Sequence, residues 1–133
     1  MTEYKYNEGG WSADYPGKKR KRSPDCVVRA IAIATKQSYK GTLIDLCNLA
    51  IEYGCTPNDF WIVEKYLKSK GWVKEKAPRN KSGKKIRLRD WDYKGTALMR
   101  TSGHLVAVLD GVVNDTWDCR PWCCNTWWRE ETE

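Results

Sequence analysis

The sequence predicts an α+β domain in which N-terminal helices pack on a C-terminal antiparallel β-sheet. Apolar residues recur at helical spacing between residues 23 and 71. After about residue 85, apolar and polar residues alternate instead, as they do in half-exposed strands. The pair Asp110-Gly111 interrupts this alternating region and is typical of a tight hairpin turn. Helices are therefore expected first along the chain and paired strands second.

The length and composition indicate one domain. The chain has 133 residues, of which 41% are apolar, which is enough to bury a hydrophobic core. Its first residues, MTEYKYNEGG, lack the basic and apolar stretches of a signal peptide, and no apolar run approaches the roughly 20 residues that span a membrane. We therefore expect a cytoplasmic protein with reduced thiols and no membrane partner.

The N-terminal third divides into a polar segment and a first helix. Residues 1–22 are polar, contain several Gly and Tyr residues and end in the basic run KKRKR, which predicts an irregular arm or loop laid over a single domain of residues 23–133. The first helix is predicted to start with Ser23 as its N-cap and Pro24 at its first position. Its apolar face consists of residues at helical spacing: Val27, Ala30, Ile31 and Ala34.

Two further helices are predicted before the sheet. The second spans about residues 40–53, and Gly54 supplies its left-handed stop. The third is capped by Thr56, opened by Pro57 and closed by Gly71. Each repeats apolar residues at helical spacing, so each has one side suited to a core.

Three segments of the C-terminal half are predicted to form strands. They read IRLRDW, TALMRT and HLVAVLDGVVNDTW, and the last is a hairpin because Asp-Gly lies between two alternating runs. The aromatic residues Trp122, Trp127 and Trp128 are expected to pack the C-terminal tail over this sheet; the alternative is that, interleaved with Arg120 and Arg129, they stack on nucleic-acid bases.

The hairpin register places polar side chains together. If Asp110-Gly111 forms the turn, His104 faces Trp117, and side-chain alternation puts both on the same face as Asp115. Asp115 is then diagonal to His104, at about 7–8 Å between backbones, which polar side chains can span. In this register Trp117 is expected to shield the histidine and the acid from water.

A histidine, an acid and a cysteine supply the parts of a catalytic triad. A carboxylate beside His104 fixes the imidazole tautomer and stabilises the imidazolium. Cys26 is a candidate nucleophile because the first turn of a helix favours thiolate over thiol, and its neighbours Ser23 and Asp25 indicate a position at a rim. The structural alternatives are a histidine satisfied by a neighbouring acid and a cysteine buried as a small apolar residue.

The segments PDCVVRAIAIAT and SGHLVAVLDGVVNDTWD, in this order, resemble the papain-like cysteine peptidases. They are most similar to compact bacteriocin-processing peptidase domains and small phage-encoded papain-like proteins, and DC-x-x-RA is similar to a segment of ovarian-tumour-type deubiquitinases. The resemblance implies a papain-like fold with the nucleophile helix first. It also implies an enzyme, a cysteine-dependent hydrolase of peptide, isopeptide or related amide bonds. On this pattern Cys26 is the nucleophile, His104 the general base and Asp115 the orienting acid.

One departure from the family pattern concerns the oxyanion hole. Papain-like enzymes usually have a glutamine about six residues before the cysteine, and that position here is Arg20. We expect the Cys26 backbone N–H to hold the oxyanion together with the side chain of Arg20 or Ser23. Loss of one such donor typically costs about 10²–10³ in rate. The alternative function is therefore a catalytically weak or inactive papain-like domain that binds a host protein.

The basic charge is clustered rather than evenly spread. The net charge of +7 comes largely from KKRKR, from RNKSGKKIRLR and from the lysines between residues 65 and 76. The basic segment 74–89 is the expected specificity loop, which indicates an acidic or phosphate-bearing protein or peptide substrate. Two alternatives remain, namely a solvated surface and a module whose basic loops bind nucleic acid.

The remaining cysteines do not have the spacing of a metal site. Cys119, Cys123 and Cys124 lie close together, but a second pair of zinc ligands would have to come from Cys47 and Cys55, which are eight residues apart. We therefore expect no metal and no cofactor. Adjacent residues of an extended chain point to opposite sides, so at most one of Cys123 and Cys124 is expected to be buried.

Overall fold

The fold is taken from a computed structural model, in which residues 2–20 and 24–131 are described. In these residues the chain forms four α-helices and a six-stranded sheet, which confirms the α+β class. The helices are α1 (Trp11–Asp14), α2 (Cys26–Thr35), α3 (Tyr39–Tyr53) and α4 (Phe60–Ser69). The strands are β1 (Glu3–Tyr6), β2 (Trp72–Glu75), β3 (Thr96–Thr101), β4 (His104–Leu109), β5 (Val112–Asp115) and β6 (Trp127–Glu130).

The sheet is mixed rather than purely antiparallel, which corrects the sequence expectation. Its strand order is β1-β5-β4-β3-β6-β2, and every neighbouring pair is antiparallel except β1 and β5. β1 runs parallel to β5 with Glu3 opposite Val112. The four helices and the strands β2, β3 and β4 lie between these two strands in the sequence, and a long crossover of this kind is what a parallel pair requires.

Side chains alternate between two hydrophobic cores, one on each face of the sheet. Leu98, Leu105 and Ala107 belong to the core that contains the apolar residues of α2, α3 and α4. Met99 and Val106 belong to the second core, which is covered by irregular segments near residues 86–93 and 119–124. The sheet is therefore covered by helices on one face and by irregular chain on the other.

The predicted hairpin and one of the two predicted single strands are confirmed. Leu109 lies opposite Val112 across the turn, and the backbone φ angles of Asp110 and Gly111 are 48° and 79°, as a tight hairpin turn requires. TALMRT is β3.

The prediction that IRLRDW forms a strand is wrong. Arg87 makes one isolated bridge, to Cys123, and Leu88–Asp90 forms a short 3₁₀-helix. The backbone N–H of Leu88 donates to the carbonyl of Trp122, so this segment pairs with an irregular loop and lies on top of the sheet. Leu88 is fully buried there, which explains the apolar position in the pattern.

Helix α2 begins two residues later than predicted. Cys26 is its first residue and Asp25 is its N-cap, so Pro24 precedes the helix, and Ser23 lies outside the described residues. The Asp25 side chain makes no cap hydrogen bond. Its carboxylate is instead bonded to three side chains, those of Arg20, Arg29 and Tyr39. Cys26 still lies in the first helical turn, as the sequence indicated.

The predicted end of α3 is confirmed, whereas the predicted start of α4 is not. Gly54 follows α3 with a φ of 70°, in the left-handed region. The N-cap of α4 is Asp59, whose carboxylate accepts the backbone N–H of Trp61 at 2.9 Å. Thr56 and Pro57 therefore belong to the turn before the helix, because the acid supplies the stronger cap.

The N-terminal segment is not an irregular arm. It contributes β1 to the edge of the sheet and forms the short helix α1. Between them, Gly9 has a φ of 70°, and a Cβ at this position would lie 3.0 Å from the Arg29 backbone. The glycine therefore allows the segment to pack closely against α2.

The C-terminal tail lies in the sheet and not over it. Strand β6 is inserted between β3 and β2, with Leu98 opposite Trp128 and Trp72 opposite Glu130. Trp128 belongs to the helix-side core, and Trp127 packs against the second core. No helix in the described part of the chain has the length and hydrophobicity needed to cross a membrane.

Candidate active site

The candidate site forms where the first residue of α2 meets the first residue of β4. Helix α2 packs directly on β4, so its N-terminal residue Cys26 lies beside His104 and Leu105. The Cys26 thiol lies close enough to His104 and to the Leu105 backbone N–H for both to lower its pKa. Cys26 is partly exposed, which confirms the expected rim position.

His104 is paired with Asp115, as the hairpin register predicted. Nε2 of His104 lies 2.6 Å from Oδ2 of Asp115, and the two residues are 8% and 3% exposed. The ring of Trp117 lies 4.9 Å from the imidazole, centroid to centroid, and covers the pair as expected. The structure thus brings Cys26, His104 and Asp115 together: Cys26 adjoins His104, which is hydrogen-bonded to Asp115.

The contacts shift the pKa values of all three groups towards their charged forms. Burial opposes ionisation of Cys26, but the hydrogen bonds from His104 and Leu105 and the charges of His104 and Arg29 outweigh it and lower its pKa. Burial also disfavours the imidazolium, yet bonds to Asp115 and to thiols raise the pKa of His104. For Asp115, burial is outweighed by His104, the Thr116 N–H and Arg29, which lower its pKa.

This arrangement suits proton transfer between sulfur and nitrogen. Because Asp115 occupies Nε2, Nδ1 is the ring nitrogen left for Cys26. The lowered pKa of Cys26 and the raised pKa of His104 both favour the thiolate–imidazolium pair over the neutral pair. As the first residue of α2, Cys26 also has a backbone N–H without an intrahelical partner, and none of the described residues accepts a hydrogen bond from it.

Sequence reasoning missed Arg29, which joins the two ends of the site. Its guanidinium donates from one nitrogen to Asp25, the residue before Cys26, and from another to Oδ1 of Asp115 at 3.2 Å. Arg29 is buried, and Asp25 and Asp115 are buried with it. The sequence signal was the single arginine inside the apolar run VVRAIAIAT, since a buried arginine requires an acidic partner.

The oxyanion candidates differ in what the structure says about them. The guanidinium of Arg20 lies 2.9 Å from both carboxylate oxygens of Asp25, and the Tyr39 hydroxyl donates to the same carboxylate at 2.8 Å. Arg20 is therefore paired with Asp25, the N-cap residue of α2, and this ion pair lends no support to an oxyanion role. Ser23 lies outside the described residues, so the Cys26 backbone N–H is the donor that the described part supports.

Cys119 is a second thiol beside the pair that the sequence analysis did not place there. It is fully buried, and its Sγ lies 3.7 Å from Oδ2 of Asp115. Together with His104 it completes the one group of three metal-ligating side chains found among the described residues, with ligand atoms within 4.8 Å of one another. The acid is already shared by His104 and by the Arg29 cation, so we interpret Cys119 as a thiol donor to Asp115.

The other two cysteines of the C-terminal loop follow the alternation expected from the sequence. Cys124 is buried and Cys123 is exposed. Burial raises the pKa of Cys124 to about 12, with the neighbouring thiols contributing in the same direction. Cys124 is therefore an uncharged core residue, whereas Cys123 is accessible to thiol reagents.

Comparisons with known proteins add no family to this geometry. No protein-family model, no curated protein and no solved structure was found to match the chain. The papain-like resemblance therefore stays a prediction.

Proposed function

We propose that this protein is a cysteine-dependent hydrolase that cleaves a peptide, isopeptide or related amide bond. The observation that carries the proposal is the His104–Asp115 pair, with Nε2 and Oδ2 2.6 Å apart, beside the Cys26 thiol. A partly exposed thiol, an imidazole and a buried carboxylate in this order are the nucleophile, base and orienting acid of thiol hydrolases. The papain-like character of the fold is part of the proposal and is supported by the packing of α2, the helix that begins with Cys26, on β4 of the sheet.

The reaction follows from the positions of these groups. The Cys26 thiolate attacks the carbonyl carbon, and the carbonyl π electrons move to the oxygen, which accepts the Cys26 N–H. The His104 imidazolium gives its proton to the leaving amine as the C–N bond breaks. Water then attacks the thioester while His104 accepts a proton from it, and the carboxylic acid leaves as the C–S bond breaks. Asp115 holds the imidazole in place throughout.

Alkylation of Cys26 tests the nucleophile and the base together. A Cys123→Ser background removes the exposed thiol, and peptide mapping by mass spectrometry assigns the label. We expect iodoacetamide at pH 6 to label Cys26 at least about tenfold faster in the wild-type protein than in the His104→Ala variant. Without His104, the thiol should resemble an ordinary cysteine with a pKa of about 8.5, which is protonated and unreactive at pH 6. Cys47, which is also partly buried, is the internal control. Equal rates at Cys26 in both proteins would contradict the proposal.

The ion pair between Arg20 and Asp25 favours a second candidate function, an inactive domain that binds a host protein. With Arg20 on Asp25, the Cys26 N–H is the oxyanion donor identified within the described residues. A single donor leaves the tetrahedral intermediate less stabilised. Rapid His104-dependent labelling of Cys26 without turnover of any peptide pool would support this function, and a Cys26→Ala variant would then retain its partner.

A further inference from the structure

A cavity of about 470 Å³ opens beside the candidate site. Its lining residues come from the β3–β4 turn and from two loops: Arg87, Ser102, Pro121, Trp122, Cys123 and Asn125. Ser102 lies two residues before His104. The ring of Trp122 lies 5.3 Å from that of Trp117, which in turn contacts the His104 imidazole. The Trp117 ring therefore links the His104 imidazole to the cavity wall at Trp122.

One wall of the cavity is aromatic and open to solvent. Trp122 and Trp117 are 41% and 37% exposed, although their rings pack edge to face. Exposed tryptophans in contact with each other form a rigid apolar surface, and Pro121 extends it. Such a surface suits a flat apolar side chain of a ligand.

The cavity also has a cationic residue, Arg87, in its lining. Arg87 is exposed, and one of its nitrogens donates to the Pro121 carbonyl at 2.6 Å. Among the described residues, no carboxylate forms an ion pair with Arg87. Its neighbour Lys85 is bonded to the Asn125 side chain rather than to an acid. An uncompensated guanidinium at the cavity edge favours a carboxylate on the ligand.

The direction of the reaction decides which half of the substrate reaches this cavity. In the proposed mechanism His104 protonates the leaving amine, so the amine half of the substrate lies on the His104 side of Cys26. His104 contacts Trp117, and Trp117 contacts Trp122 of the cavity wall, so the path from Cys26 to the cavity runs past His104. Residues that follow the scissile bond are thus the ones placed to enter it.

We propose that this cavity selects the substrate by binding, directly after the scissile bond, a peptide segment with an aromatic residue and a carboxylate. The aromatic residue packs on Trp122, and the carboxylate pairs with Arg87. This inference rests on the proposed hydrolase function and names the substrate class of the same site. The net charge of +7 on the chain adds a general attraction for an acidic peptide.

N-chloroacetyl dipeptide amides test the selection without knowledge of the natural substrate. The Cys26 thiolate attacks the CH₂ carbon, an S–C bond forms, and chloride leaves with the C–Cl electrons, so the dipeptide lies on the amine side. Probes ending in Phe-Glu, Phe-Lys and Ala-Glu vary the two features separately. Each Cys26 labelling rate is assigned by peptide mapping with Cys123 left in place, because Cys123 lines the cavity, and is divided by the iodoacetamide rate of the same variant.

We expect the Phe-Glu probe to react at least about tenfold faster than the Phe-Lys probe, and Arg87→Glu to reverse this order. Trp122→Ala is expected to abolish the preference for Phe-Glu over Ala-Glu. Lys68→Glu is the matched control, because it changes the net charge equally on α4, on the other face of the sheet. It is expected to keep the wild-type order.

Three results would overturn the inference. The first is equal normalised rates for the Phe-Glu and Phe-Lys probes, and the second is a reversal by Lys68→Glu as large as that by Arg87→Glu. The third is competition by a 20-base-pair DNA duplex that Arg87→Glu abolishes, which would assign the cavity cation to phosphate. In each case, His104-dependent alkylation by iodoacetamide would leave the hydrolase proposal standing, whereas its loss would refute the hydrolase proposal itself.

Discussion

At the scale of single residues, the candidate site depends on how completely Asp115 is bonded. Oδ2 lies 2.6 Å from His104 and accepts the Cys119 thiol, while Oδ1 accepts Arg29 and the Thr116 backbone N–H. A carboxylate held on both oxygens has one orientation, so it fixes the imidazole as well. These contacts distinguish Asp115 from Asp118, the acid that follows β5, which is exposed.

Substitution of the two acids by asparagine separates these roles. Asp115→Asn removes the charge that supports the imidazolium, and we expect alkylation of Cys26 at pH 6 to slow at least about tenfold. Asp118→Asn is the matched control because Asp118 is exposed and pairs with Arg120 at 2.7 Å. The same reagent and peptide mapping measure both variants. Equal slowing in the two variants would show that the hairpin pairing has been wrongly assigned.

Arg29 is expected to be a stability residue as well as a positioning residue. Its removal leaves Asp25 and Asp115 buried without their shared cation, and breaking a buried ion pair typically costs about 3–5 kcal/mol. We therefore expect Arg29→Met to lower the free energy of unfolding by about this amount in urea titrations. Arg20→Met, whose side chain is partly exposed, is the control and should cost less. A smaller loss for Arg29→Met than for Arg20→Met would contradict the network.

At the scale of elements, local patterns predicted the parts whose partners are close in sequence. The hairpin register followed from Asp110-Gly111 and from alternation, and it correctly placed His104 beside Asp115. Strands β1, β2 and β6 were missed because each pairs with a distant segment, and their four-residue lengths carry little periodicity. The alternation of IRLRDW was misleading because Leu88 fills a core from a loop. Local periodicity does not distinguish these cases.

The contact of the N-terminal segment with α2 gives an element-scale prediction. Gly9→Ala places a methyl group 3.0 Å from the Arg29 backbone, and Gly17→Ala meets nothing within 4 Å. Both glycines have positive φ, so both variants bear a similar left-handed strain of about 1–2 kcal/mol. We expect Gly9→Ala to cost a further 1–3 kcal/mol or so in thermal or urea unfolding. Equal losses would mean that the segment does not pack on α2 in solution.

At the scale of the whole molecule, the site unites three parts of the chain. Helix α2 supplies Cys26 and Arg29, the hairpin supplies His104 and Asp115, and the following loop supplies Cys119. The sequence predicted the triad because a helix start and a hairpin each leave a local signal. It missed Arg29 and Cys119 because their partners are defined only once the helix packs on the sheet.

The central claim is the thiolate–imidazolium pair, and a pH titration of thiolate absorbance near 240 nm measures it directly. The difference between the protein and its Cys26→Ser variant isolates this thiol. Because the pKa of Cys26 is lowered, the thiolate should persist as the pH falls well below 8.5 or so, the value for a free cysteine. His104→Ala should move the midpoint upwards. A midpoint at or above the free value that His104→Ala leaves unchanged would contradict the account.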